Sequence, residues 1–232
     1  MKKAFFNWSG GKDSALALHK VLNDSTYQIA ALLTNMSGEF DRISMHGVRR
    51  ELLVAQAQSL QIPLRTLKLP KDTSMQAYDQ LMRLQLATFK KNGFTHSIFG
   101  DIFLEDLKKY REEKLAEVGL EAVFPLWKQD TLYTVKEFID LGFKAIVVCA
   151  NAKLLDNSFV GREIDQSFLN DLPKEVDPSG ENGEFHSFVY DGPIFSTPIS
   201  FSIGGKILRN YNEGKEWDSS FWYCDLLLDF PT

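Results

Sequence analysis

Short apolar runs alternate with amphipathic stretches through the first 150 residues, and that alternation confines the chain to few architectures. Runs at 3–8, 29–33, 64–69, 97–99, 122–124 and 145–150 read as strands. Between them, 12–23, 47–60, 75–90, 104–118 and 135–141 carry helical spacing. A strand, a crossover helix and a parallel strand form a right-handed unit, so the expected fold class is α/β with a doubly wound, mostly parallel sheet. The strands are apolar nearly throughout, as strands covered on both faces must be. The run at 145–150 is expected to close this series.

Beyond residue 151 the texture changes. Segment 171–183 is rich in Pro, Gly, Asp and Glu and reads as a long loop. Strand-like runs follow at 185–190, 199–208 and 221–228 with no helical spacer. The expected organisation is an α/β domain at 1–150 that binds a nucleotide, then a smaller β-rich annex at 151–232 that binds substrate. A chain of 232 residues suits one large domain with such an annex.

No apolar run approaches the roughly 18–20 residues that cross a bilayer. The start, Met1-Lys2-Lys3, reaches Ser9 and Gly10 before any adequate apolar region, so a cytoplasmic protein is expected. Cys149 and Cys224 form no CxxC or Cys/His cluster, which argues against structural zinc and a disulfide framework. Cys149 sits in an apolar run and is expected to be a buried strand thiol. The net charge of −5 divides into +3 over residues 1–150 and −8 over 151–232. An acidic total gives no strong nucleic-acid signal. The mildly basic first part suits a phosphorylated small molecule.

Ser9-Gly10-Gly11-Lys12-Asp13-Ser14 follows an apolar strand and opens a helix. Glycines let the backbone approach an anion, and the helix start adds N–H groups and partial positive charge. Lys12 supplies a point charge and is expected to be a surface side chain with little bearing on stability. Ser9 and Ser14 supply donors, and Asp13 either caps the helix or meets a magnesium ion. The loop is not GxxxxGK[ST], and no GxGxxG is present.

This loop resembles the signature of the PP-loop ATP pyrophosphatases, a branch of the adenine-nucleotide α-hydrolases with a Rossmann-like (HUP-type) fold. The resemblance implies ATP cleavage between the α and β phosphates, with the loop holding pyrophosphate. Met45-His46-Gly47, Phe99-Gly100-Asp101-Ile102, Gly119-Leu120 before Phe124-Pro125-Leu126-Trp127, and Gly180-Glu181-Asn182-Gly183-Glu184-Phe185 appear in order. Together they resemble the diphthine–ammonia ligase family, which implies a carboxylate adenylated by ATP and amidated by ammonia.

Several site roles rest on that resemblance. Lys12, Asp101 and Glu184 are the candidate catalytic residues. Ser9, Gly10, Gly11, Lys12, Asp13, Ser14 and His46 are candidates for ATP, and Asp13 and Asp101 for magnesium. Asp101 follows a strand and either binds the metal, orients substrate or caps the next helix. Arg111 and Glu112 match an Arg/Glu pair of the family, Glu112 the more closely, although an exposed ion-paired helix face fits as well. His46 contacts phosphates or caps a helix. Glu181, Asn182, Glu184 and His186 are candidates for the acceptor and ammonia.

The chain departs from the ligase pattern after Glu184. His186 and Ser187 stand where the family typically has Glu and Thr, and Asn182 replaces Gly. Strand alternation would put Glu184 and His186 on one face. If the acceptor is not diphthine, His186 is accordingly expected in an acceptor pocket separate from the ATP pocket. Remaining alternatives are a bacterial paralogue linked by genomic context to cobalamin salvage, a non-catalytic nucleotide-binding protein like the universal stress proteins, and a tRNA thiolase. Missing cysteine pairs and acidic charge weaken the last. A homodimer is compatible with the sequence.

Overall fold

The computed structural model describes every residue except Phe40, Met45, Asp72, 212–218 and 230–232. Met45 of the Met-His-Gly stretch therefore lies outside the described residues. Five parallel strands form the body of the first sheet. β1 (Lys2–Asn7) is central, with β2 (Tyr27–Ser37) on one edge and β5 (His96–Ile98) on the other. β4 (Leu64–Leu69) lies outside β2, and β6 (Glu121–Val123) outside β5. A two-residue strand, β3 (Arg42–Ile43), pairs antiparallel with the end of β2 and is too short to leave a hydropathy pattern.

Helices α1 (Lys12–Leu22), α2 (Arg50–Leu60), α3 (Met75–Lys91), α4 (Glu105–Ala116) and α5 (Thr131–Asp140) supply the crossovers and the cover. Pleating of β1 divides its side chains between two cores. Ala4, Phe6 and Trp8 join Leu16, Leu18, Leu52 and Leu53 in one core. Phe5 faces the other way and stacks on Phe89, ring centres 4.1 Å apart, beside Leu86 and Leu115. Helices thus cover both faces, as expected.

The second sheet is antiparallel, in the order β8 (Phe185–Asp191), β7 (Lys144–Asn151), β10 (Ser219–Leu228), β9 (Phe201–Tyr211). The run at 145–150, expected to close the parallel sheet, does not do so. It is the core of β7, which pairs antiparallel with β8 and β10. A strand buried on both faces reads the same in either sheet, so hydropathy could not distinguish them. A short helix, α6 (Gln166–Asp171), precedes the long loop, and its N-cap Asp165 accepts from Phe168 N–H at 2.7 Å. Cys149 is buried in β7, and burial pushes its thiol up to about 12.

One core joins the two sheets, since Phe185, Phe188 and Val189 belong to the same cluster as Leu16 and Leu18. No helix among the described residues is long and apolar enough to cross a membrane.

Candidate active site

The strand order reverses direction between β1 and β5, and an open α/β sheet offers its ligand crevice beyond the carboxyl ends of strands at such a point. A cavity of ≈ 760 Å³ opens there, lined by the Ser9–Ser14 loop, Asp101, Arg111 and the Gly180–Gly183 turn. Gly10 adopts a φ of 79°, a backbone that disfavours a side chain. Gly11 N–H donates to Ser9 Oγ at 3.2 Å, and the Ser9 and Ser14 hydroxyls bond at 2.7 Å. Gly11 is the N-cap of α1 and makes no side-chain cap bond. Asp13 therefore does not cap the helix.

Lys12 is only 3% exposed, so the expectation of a surface side chain fails. Its Nζ lies 2.7 Å from Asp13 Oδ2, donates to Ser179 O, and sits 5.2 Å from the Phe185 ring centre. Burial raises the Asp13 carboxyl above its ordinary range, and Lys12 opposes that rise. Asp101 forms an ion pair with Arg111, 3.0 Å apart, and burial raises its carboxyl too. Leu104, not Asp101, is the N-cap of α4, so the capping alternative is set aside. Glu181 accepts from Ile102 N–H at 2.8 Å. Burial, with Asp13 and Asp101 nearby, pushes its carboxyl up to about 7.

Two buried oxygens, Asp13 Oδ1 and Asp101 Oδ2, have no hydrogen-bond partner among the described residues. Among the described residues no three His, Cys, Asp or Glu gather as a metal cluster. Magnesium is commonly held by one or two carboxylates together with substrate phosphates. The orphaned oxygens fit that kind of site.

His46 and His186 stack with ring centres 4.5 Å apart and planes 27° from parallel. His46 does not cap α2, whose N-cap is Arg49. A Cβ on Gly11 would lie 3.3 Å from the His46 ring, so the imidazole stands directly over the phosphate loop. Next to His186, Ser187 Oγ accepts from Lys12 N–H at 3.1 Å. The expected separation between an ATP pocket and a His186 pocket does not hold. One cavity contains both.

Burial lowers His46 to about 4 and moves His186 in the same direction, with Lys12 adding to both. His46 is neutral in the folded protein, while an unfolded chain titrates near its ordinary 6.5. Stability from this residue is complete above 6.5 and is lost as pH falls from there towards 4. Melting curves across that interval should show a falling Tm, with a smaller fall in His46→Gln. An identical fall in both proteins would contradict this.

Three expected site residues, Gly10, Glu112 and Glu184, do not line the cavity. Glu184 is 4% exposed, and its carboxylate accepts from Asp177 N–H, Asn182 N–H and Asn182 Nδ2 at 2.9–3.1 Å. It braces the loop, whereas Glu181, Asn182 and His186 line the cavity. The alternation expected of Glu184 and His186 fails because β8 begins only at Phe185. Glu112 points to Lys108 on the exposed side of α4, and Arg111 alone of that pair lines the cavity. Arg111 also lies over the Phe99 ring, 4.3 Å from its centre. His96 is buried beside Lys2, and His19 bonds Asn23, both away from the site.

Sequence reasoning missed Gln56 altogether. It is fully buried, accepts from Trp8 Nε1 at 3.0 Å, and donates to Gly10 O at 3.1 Å and Val189 O at 2.6 Å. This amide fastens β8 and α2 to the phosphate loop. A polar residue on the buried face of an amphipathic helix was the available signal. Gln56→Leu should cost about 1–3 kcal/mol by leaving the buried Trp8 N–H unpaired. Chemical denaturation checks this, and unchanged stability would contradict it.

A reversing parallel sheet with a Ser-Gly-Gly-Lys-Asp-Ser loop at its switch point defines a nucleotide-binding protein of the PP-loop ATP pyrophosphatase class. Family models narrow the class: the diphthamide synthase N-terminal domain matches residues 1–122, and the diphthamide synthase C-terminal domain matches residues 130–227. The chain belongs to the diphthamide synthase family, and by class it is an ATP-dependent amide ligase.

Diphthine–ammonia ligase of Homo sapiens is 26% identical over 213 residues, covering 82% of this chain and 79% of that protein. The Danio rerio protein of the same name is 26% identical over 215 residues, covering 82% and 83%. Its Schizosaccharomyces pombe counterpart is 24% identical over 210 residues, covering 82% of this chain and 34% of that one. A solved tRNA thiolase of Methanococcus maripaludis shares 17% identity over 61% of this chain and 57% of that chain, with a TM-score of 0.37.

Proposed function

We infer that this protein adenylates a carboxylate-bearing acceptor with ATP and amidates it with ammonia, releasing AMP and pyrophosphate. The observation that carries the reading is the phosphate loop at the switch point, with Lys12 buried against it and two carboxylates holding orphaned oxygens. The acceptor oxygen attacks the α-phosphorus, and the bond to the β-phosphate breaks. Pyrophosphate leaves into the loop, where the α1 N-terminus and Lys12 stabilise its charge. Ammonia then attacks the acyl carbon, the bond to AMP breaks, and the nitrogen gives up a proton. No base is required for the first step, because a carboxylate is already ionised.

Asp13 and Asp101 would hold magnesium, which supplies charge neutralisation on the phosphates when bound. Arg111 orients Asp101 through their ion pair. Residues 1–122 contribute the ATP side, and residues 130–227 the acceptor side through Glu181, Asn182 and His186.

The stacked imidazole pair favours a second reading of the acceptor. His186 stands where the ligase pattern carries Glu, and a neutral ring in place of a carboxylate alters what can bind there. An acceptor other than diphthine fits this exchange. Turnover of ATP with ammonium and a panel of carboxylates, diphthine-bearing protein included, tests the function. Acceptor- and ammonium-dependent AMP and pyrophosphate are expected, and ADP with inorganic phosphate would refute it.

Asp101→Asn should lower turnover by about tenfold or more and raise the magnesium concentration needed for half-maximal rate. Excess magnesium should restore part of the rate. An unchanged magnesium requirement would remove Asp101 from the metal site.

A further inference from the structure

His46 lines the cavity above the phosphate loop, and one of its ring nitrogens is left without a bond. Nδ1 is buried and has no hydrogen-bond partner among the described residues. The backbone of Ser187 hydrogen-bonds the ring, and with Nδ1 unpartnered that bond falls to Nε2. A carbonyl only accepts, so Nε2 carries the proton and Nδ1 keeps a bare lone pair. Ser187 is itself held in place, because its Oγ accepts from Lys12 N–H at 3.1 Å. The His186 ring, stacked with its centre 4.5 Å away, fixes the plane of the imidazole. Tautomer and orientation are therefore both set by the fold.

A buried acceptor left unpaired is costly, and at a functional site it marks the place of a donor. The phosphates of ATP offer acceptor oxygens only, and an ionised carboxylate does the same. The adenine amine lies at the far end of ATP from its phosphates. Ammonia is the remaining reactant, and it brings N–H donors together with a lone pair that stays free for attack. Its neutral form is the one that fits. The charge acting on both imidazoles is the Lys12 ammonium, which disfavours a second cation beside them.

We propose that His46 Nδ1 is the ammonia site, accepting a hydrogen bond from neutral ammonia and holding it beside the phosphate loop for attack on the adenylated acceptor. The proposal rests on the carboxylate-ligase reading and adds the seat of its nitrogen substrate. His186 serves it as a positioning residue, through the stacked rings.

The chain has four histidines, so imidazoles labelled with heavy nitrogen can be followed one by one in NMR spectra. Ammonium chloride is titrated into the protein with magnesium and a non-hydrolysable ATP analogue, and potassium chloride is the control. The pH is kept above the ordinary histidine range, where part of the ammonium is ammonia. His46, identified by the loss of its signals in His46→Gln, should carry its proton on Nε2. Its Nδ1 signal should move with ammonium chloride and stay with potassium chloride. A proton on Nδ1, no movement, or an equal response to both salts would overturn the proposal.

Two variants then separate the ring nitrogens in turnover. His46→Gln keeps a donor near the Nε2 position and loses the acceptor at Nδ1, whereas His46→Asn puts its amide oxygen near Nδ1 and loses the Ser187 bond. The KM for ammonium should rise by about tenfold in His46→Gln, the scale of a lost hydrogen bond, and by about threefold or less in His46→Asn. An equal rise in both, or the reverse order, would mean a merely structural histidine and would also overturn the proposal. Failure of the ligase reading has a different signature. No carboxylate then yields AMP and pyrophosphate, while the His46 signal still answers to ammonium chloride alone.

Discussion

Lys12→Ala should lose turnover by about 10²–10³-fold, the scale seen when one preorganised charge is removed from a transition state. The same change should also destabilise the protein, because Lys12 is buried and is the counter-ion of Asp13. Breaking a buried pair from one side costs about 3 kcal/mol. In a chain of this size that lowers Tm by about 6–12 °C. The two effects are separable. Lys12→Arg keeps the charge and should recover most of the stability, but its planar head does not reproduce the compact ammonium between Asp13 and Ser179 O. Rates by AMP release and Tm by circular dichroism check both parts. Wild-type AMP release by Lys12→Ala would remove this residue from the phosphate site.

The second large effect is expected at Gly100, through backbone and not charge. A Cβ there would lie 3.0 Å from both Asp13 C and Ser14 N. Neither backbone atom can rotate aside, so an added methyl must push the end of β5 away from the start of α1. Asp101 is the next residue and moves with it. Overpacking of this kind costs about 1–3 kcal/mol. The neighbouring backbone must give by a few tenths of an ångström, where a full ångström at a reacting centre costs about 10²-fold in rate. Gly100→Ala should therefore lose roughly tenfold in turnover while remaining folded at 25 °C. Unchanged rate and ATP affinity would show that the close approach has no catalytic consequence.

The legible part of this protein is the part written in local pattern. Alternating runs mark out the parallel sheet, and the Ser9–Ser14 loop and Asp101 fall at the carboxyl ends of β1 and β5 because both follow apolar strands directly. What escapes is made by residues far apart in the chain. Lys12 N–H bonds Ser187 Oγ across 175 positions, and no periodicity near either residue signals that contact. Lys12 reads as a surface lysine in sequence because the loop that covers it, around Ser179, arrives from the second sheet. The same return of chain brings His186 onto His46 and makes one cavity of two expected pockets. Glu184 misleads for the opposite reason: its motif is real, but the carboxylate is engaged by the N–H groups of its own loop.

The central claim is that a carboxylate oxygen attacks the α-phosphorus of ATP held by the Ser9–Ser14 loop. Its most direct test follows heavy oxygen from the acceptor. The carboxylate that best supports turnover is labelled in both oxygens, turned over with ATP, magnesium and ammonium, and the products are weighed by mass spectrometry. One labelled oxygen should appear in AMP, and pyrophosphate should carry none. Label in inorganic phosphate, with ADP as the nucleotide product, would mean attack at the γ-phosphate and would contradict the account.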